Sequence, residues 1–202
     1  MRIRSVKPAK QHLYIVELDD GQCTEIDKTV WEHSGFCVED ELSDVQFASL
    51  QEHSISYRAR EKALYYLSSR DYGSVELIRK LCRAGVDKSV AEETVFRLCD
   101  SGLINDERYA VMLARDMQER KLYPKRRVAM ALREKGFSAD VIAQAVEALA
   151  DEEEEQALAL LQKKRICYTE DPKQREKTLA MLARYGFSYA VSIRALARLN
   201  EE

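Results

Sequence analysis

A leucine, three residues, a glycine, an apolar residue and a helix-capping side chain recur three times along this chain. The copies are Leu81…Gly85-Val86-Asp87, Leu132…Gly136-Phe137-Ser138 and Leu182…Gly186-Phe187-Ser188. Their glycines are 51 and 50 positions apart, and such a period marks one supersecondary unit stacked several times. Glycine tolerates the left-handed conformation just past a helix end. The residue after it then folds back onto the residue four before it, closing a Schellman motif. The predicted pairs are Leu81 with Val86, Leu132 with Phe137 and Leu182 with Phe187, all apolar. Asp87, Ser138 and Ser188 follow as helix N-caps.

The register continues into the next helix, where Val90, Val141 and Val191 are equivalent, as are Leu98, Leu149 and Leu199. Pro124 and Pro172 fall where a helix starts, and Ser74 is the expected cap in the first copy. Each unit therefore reads as three helices. The expected spans are 57–69, 74–85 and 88–100; 106–121, 124–135 and 139–150; 153–167, 173–185 and 189–200. Gly102-Leu103 repeats the stop signal, with Leu98 as apolar partner, and Asn105 and Asp106 open the next helix.

The first 56 residues differ in kind. Leu13–Leu18 is apolar and β-prone, Asp20-Gly21 signals a tight turn, and residues 22–27 continue, which predicts a hairpin. A helical turn over 29–33 stops at Gly35, and Ser43…Gln46 is a capping-box signature. A hairpin is not stable alone, so it should pack on a neighbouring helix. The pattern leaves open whether the Ser43 helix runs unbroken into the first repeat. The expected fold is mainly α: three tandem three-helix repeats in an elongated, curved array, with a small N-terminal β-hairpin and helix extension. The expected domains are 1–56, 57–104, 105–150 and 151–202.

Composition narrows the function. The net charge is only −3, but it is unevenly placed. Residues 1–56 carry 5 basic and 11 acidic side chains, residues 57–150 carry 18 and 14, and residues 151–202 carry 9 and 10. No apolar run approaches a membrane span, and no signal peptide opens the chain. The five cysteines form no CxxC pair, and Cys82 and Cys99 suit small core positions. These features predict a cytoplasmic protein without membrane contact.

No catalytic constellation is present. The only histidines are His12, His33 and His53, all before the repeats, and the seven glycines form no phosphate-binding loop. Asp151–Glu155 is a poor metal site, because consecutive residues point around a helix, and an ordinary acidic helix start. No catalytic residue, cofactor or metal is expected, and the chain does not read as an enzyme.

The positive signal is a basic cluster: Arg115, Arg120, Lys121, Lys125, Arg126, Arg127 and Arg133, with Lys135. Lys163, Lys164 and Arg165 lie at the equivalent corner of the third unit. Stacked corners would align these into a positive stripe suited to phosphates or to an acidic protein face. The helix–turn–helix arrangement invites comparison with DNA readers, whose later helix enters the major groove. Here the later helix of the second unit bears Asp140, Glu147 and Asp151 and no basic residue, so major-groove reading is not expected.

One stretch is more specific. Ala63-Leu64-Tyr65-Tyr66-Leu67 leads into Ser74-Val75-Glu76-Leu77, and Gly102-Leu103-Ile104-Asn105-Asp106-Glu107-Arg108-Tyr109-Ala110 joins the first two units. These resemble the RecX regulatory proteins, with their Ala-x-x-x-Leu helix, Ser-x-Glu-Leu start and Gly-Tyr-Leu-Asp-Asp-x-Arg-Phe-Ala junction. The likeness covers about residues 57–200. Leu103, Asn105 and Tyr109 depart mildly from that junction, and the N-terminal segment exceeds the short members. The resemblance implies a monomeric regulator that binds filaments of the recombinase RecA on single-stranded DNA. It implies modulation, mostly inhibition, of recombinase, ATPase and co-protease activity in DNA repair and the SOS response. The basic cluster adds a weak sequence-independent DNA contact, and a purely nucleic-acid-binding helical repeat protein is the alternative.

Overall fold

A computed structural model describes residues 1–167 and 171–199. Among them are ten helices and three strands, in two compact units, Met1–Ile104 and from Asn105 onward.

The first unit opens with an antiparallel sheet in the order β1 (Ile3–Pro8), β2 (Leu13–Leu18), β3 (Cys23–Asp27). The expected hairpin is β2–β3, turning at Gly21 (φ 86°), with Val16 facing Thr24. Strand β1 was not expected. Its sequence, Ile-Arg-Ser-Val-Lys-Pro, lacks apolar alternation; it pairs with the free edge of β2 and buries Ile3 in the core below. Pro8 is tolerable there because β1 is an outer strand. Helix α1 (Lys28–Ser34) is capped by Asp27 and stops at left-handed Gly35.

Helix α2 runs unbroken from Asp44 to Leu67, with the capping box formed: Gln46 N–H donates to Ser43 Oγ (3.2 Å), and Ser43 N–H donates to Gln46 Oε1 (2.9 Å). The helix expected at 57–69 thus starts thirteen residues earlier, and it serves two cores. Phe47 and Leu50 join Ile3, Val16, Leu18, Ile26 and Trp31 beneath the sheet. Ala63, two turns past the middle, joins Leu77, Leu81, Val95 and Leu98 in the first repeat. Two polar contacts fix the sheet to this helix: Asp27 N–H to Ser54 Oγ (2.8 Å) and Gln51 Nε2 to Thr24 Oγ1 (2.9 Å). The first repeat is completed by α3 (Ser74–Arg83) and α4 (Lys88–Asp100). The cap position of α3 is Gly73, not Ser74, which opens the helix instead.

The second unit holds repeat 2, α5 (Asp106–Lys121), α6 (Lys125–Lys135) and α7 (Ala139–Glu147). Repeat 3 contains α8 (Glu153–Lys163), α9 (Pro172–Tyr185) and α10 (Tyr189–Arg198). The expected end of the last helix at Asn200 lies outside the described residues, as do 168–170. In each repeat the third helix packs on both others or, in repeat 3, on α8 above all.

The threefold punctuation takes the predicted form. Val86, Phe137 and Phe187 N–H donate to the carbonyls of Leu81, Leu132 and Leu182 at 3.1, 3.3 and 3.1 Å. Gly85, Gly136 and Gly186 donate one residue further on, to Cys82, Arg133 and Ala183, each at 3.0 Å, which completes the Schellman pattern. Leu81, Leu132 and Leu182 are fully buried. Truncating any of them to alanine costs about 2–5 kcal/mol by transfer and cavity terms. Gly102 and Leu103 repeat the motif at the end of α4.

Two left-handed stops had no glycine to announce them. Leu122 (φ 56°) ends α5 and Arg165 (φ 55°) follows α8, both left-handed. Arg165 and Ile166 donate to Gln162 and Leu161 just as a glycine and its successor would. The helix expected to reach 167 therefore ends at Lys163. Leu122 accepts this conformation, disfavoured for a side chain with Cβ, because its side chain packs on the repeat 3 core of Leu161, Leu182 and Phe187.

Candidate partner-binding surface

The basic cluster lies at the corner where α5 turns into α6. Asn105 caps α5 by accepting from Arg108 N–H (2.8 Å), and Leu122 reverses the chain. Pro124 (φ −65°) sits at the cap of α6 rather than within it. This geometry sets Tyr123 and the start of α6 against the Arg184–Gly186 turn of repeat 3. The Tyr123 and Tyr185 rings are 6.3 Å apart, near edge-on.

The cluster divides into two groups. In the first, basic side chains hold the second unit together. Arg127 lies over Tyr123 (4.6 Å) and Tyr185 (6.0 Å), and its Nη1 donates to the carbonyl of Arg184. Lys163 Nζ donates to the carbonyl of Arg120 (3.1 Å). Both bonds satisfy carbonyls in a helix's last turn, where the partial negative charge of the helix end adds to the attraction. Lys62 does the same in the first unit, on the Ala84 carbonyl (2.7 Å). Lys125 pairs with Asp151 (2.7 Å), and Arg120 pairs with Asp116 one turn back (2.9 Å). Lys121 stands 5.8 Å from the Tyr123 ring.

The second group is free for other contacts. Arg115, Arg126, Arg133, Lys164 and Arg165 are exposed, and among the described residues their side chains make no hydrogen bond or ion pair. Beside Arg126 and Arg133, a cleft of about 360 Å3 opens between α5 and α6. Met117, Tyr123, Met130 and Ala131 supply its apolar wall, Lys121, Arg127 and Lys135 its cations, and Glu134 its one carboxylate.

The carboxylates are arranged differently. Glu154 accepts from Arg194 Nε (2.7 Å) and Arg198 Nη1 (3.3 Å), tying α8 to α10, and Glu155 takes Arg198 as well (3.1 Å). The Arg194 hydrogen bond outweighs the opposing desolvation and, with a lesser contribution from the Arg198 hydrogen bond, holds the Glu154 carboxyl below its usual range. The acidic start of α8 is thus a brace within repeat 3. On α7, Asp140 and Glu147 remain exposed.

The histidines belong to the first unit. His33 Nδ1 lies 2.7 Å from the Thr29 carbonyl, and His53 lines a cleft of about 390 Å3 between α2 and α4 with Tyr57, Arg60 and Arg97. Among the described residues, no three His, Cys, Asp or Glu side chains converge to hold a metal. Cys82 and Cys99 pack against the repeat 1 core, as their positions suggested.

Residues the sequence reading passed over are Leu122, Tyr123 and Tyr185, which organise the corner. A signal existed for one: Tyr72 and Tyr123 are 51 positions apart, in register with the repeat, and Arg70 stacks on Tyr72 (3.7 Å) as Arg127 does on Tyr123.

Comparison with known proteins gives one answer along the repeats. Family models described as the first, second and third three-helix domains of RecX match residues 59–98, 105–146 and 151–196. A "Regulatory protein RecX" of Deinococcus radiodurans is 33% identical over 148 residues, covering 69% of this chain and 71% of the relative. One from Stenotrophomonas maltophilia is 31% identical over 144 residues, covering 70% and 86%. A crystal structure of regulatory protein RecX shares the fold with a TM-score of 0.69 at 22% identity, over 100% of this chain and 99% of that one. The structure of RecX from Lactobacillus salivarius aligns with a TM-score of 0.62 at 23% identity, over 73% of this chain and 98% of that one.

Proposed function

This chain belongs to the RecX family of regulatory proteins, and on that premise we propose that it binds RecA recombinase filaments assembled on single-stranded DNA. Bound there, it modulates and mostly inhibits recombinase, ATPase and co-protease activity in DNA repair and the SOS response. The observation that carries this reading is the match of all three repeats to RecX domains, together with relatives named as regulatory proteins. The protein acts by binding rather than by chemistry, as a monomer in the cytoplasm. It occupies adjacent recombinase protomers and blocks subunit addition or rearrangement.

The free arginines support a basic contact with an acidic filament surface or with DNA. The reading is tested by measuring the DNA-dependent ATPase and filament length of the cognate recombinase. Substoichiometric protein should lower the ATPase. Saturating protein that changed neither quantity would end the proposal.

A second reading rests on the same arginines: a helical repeat protein gripping nucleic-acid backbone without reading sequence. It predicts binding to a bare oligonucleotide, with no recombinase present, that weakens steeply with salt.

A further inference from the structure

Arg126, Met130 and Arg133 follow at i, i+4 and i+7 on α6, which places them in one stripe of the helix surface. All three are exposed, and Met130 retains 53% of its surface. The neighbours in sequence turn elsewhere: Lys125 to Asp151, Arg127 to the Arg184 carbonyl. The two stripe guanidiniums have no such partner among the described residues. Met130 also lines the cleft with Met117, Tyr123 and Lys121. The same Arg-x3-Met-x2-Arg spacing recurs on α5 as Arg108, Met112 and Arg115, where Met112 keeps 48% exposed.

We propose that the outward face of α6, with the cleft beside it, docks an acidic protein segment that carries one apolar side chain. The two arginines each take a carboxylate through their planar forks. The apolar side chain enters the cleft against Met130, whose unbranched thioether adapts to the shape it meets. The composition favours protein over nucleic acid. Arginine and methionine are enriched at protein interfaces, whereas a phosphate ladder gains nothing from a thioether set between two guanidiniums. The exposed carboxylates of Asp140 and Glu147 on α7 of the same repeat add repulsion to an extended polyanion. This inference rests on the reading that the partner is a recombinase filament, and it assigns that partner's contact to one face.

The test titrates the full-length fluorescent protein onto cognate recombinase filaments and, separately, onto the bare oligonucleotide. R126E/R133E should bind filaments at least about tenfold more weakly, as loss of paired charges does. M130S should bind about fivefold more weakly by losing an apolar contact. The control R58E/R83E, equal in charge change and exposed on the first unit, should change affinity less than about twofold. Melting temperatures verify that each variant is folded. Filament binding by the wild type with both α6 variants unaffected overturns this docking face alone. A loss equal to that of the control reduces the effect to net charge and overturns it too. Parallel loss of oligonucleotide binding by R126E/R133E, with M130S unchanged, makes the face a phosphate grip and overturns it. Wild-type protein that ignores filaments overturns the filament reading and this inference together.

Discussion

The guanidinium of Arg127 closes onto the carbonyl of Arg184, 57 residues away, and in doing so joins repeat 2 to repeat 3. It does this beside Gly186, whose outer face is crowded. A Cβ on Gly186 would stand 3.0 Å from Arg127 Cβ and 3.4 Å from Pro124 Cγ.

Arg127 is therefore a folding residue within a cluster that looks uniform by charge. R127A should lower stability by about 1–2 kcal/mol through the lost charged hydrogen bond and ring stacking. R126A, at an exposed side chain, should stay within about 0.5 kcal/mol of wild type. K125A removes a pair whose acid, Asp151, is 89% exposed, and should cost no more than about 1 kcal/mol. Urea unfolding of the three variants checks this order. A triple reversal of Lys125, Arg126 and Arg127 would mix folding with binding and cannot by itself report a contact surface.

Gly186→Ala and Gly85→Ala share a left-handed backbone cost, at φ 100° and 86°. An added Cβ at Gly85 meets nothing within 4 Å. G85A should cost about 1–2 kcal/mol from backbone strain, and G186A should cost measurably more, because Arg127 must also move. Equal unfolding midpoints for the two variants would contradict the packing described at the repeat 2–repeat 3 turn.

Leu122 combines a strained backbone with a useful side chain, so two substitutions separate the terms. L122A keeps the strain and loses the packing, whereas L122G loses the packing and relieves roughly 1 kcal/mol of strain. L122A should be the less stable of the two by about that amount in thermal denaturation.

Glu154 provides a pH test. Its folded carboxyl is held below the ordinary range, chiefly by the Arg194 hydrogen bond and then by Arg198. A lowered folded value means stability that is present above the unfolded value and lost as pH falls through the folded one. Wild type should exceed E154Q in melting temperature at neutral pH, and the gap should close as the pH drops below the usual glutamate range. A gap unchanged down to strongly acidic pH would show that the Arg194 contact contributes through packing rather than charge.

What was legible in the sequence shares a physical character. Schellman stops at Gly85, Gly136 and Gly186, caps at Asp87, Asn105, Ser138 and Ser188, and the Ser43 box each close hydrogen bonds within about six residues. Local bonds need only local residues, so the pattern announces them. Strand β1 and the left-handed Leu122 and Arg165 were not legible. The strand exists because β2 has an open edge, and Leu122 bends because a core from the next repeat receives it.

The same division separates the basic residues. By itself the sequence determined that three helical units follow one another and that positive charge gathers at the second, because repeat spacing and composition are properties of the chain. Only the tertiary structure decided which of those charges remain available. Arg127, Lys163 and Lys125 meet helix ends or a carboxylate brought to them by chain 57, 43 or 26 residues away, while Arg126 and Arg133 meet none. A long, flexible cation is the same in sequence whether it faces only water or a helix-end carbonyl; the packing of the second unit supplies that neighbour.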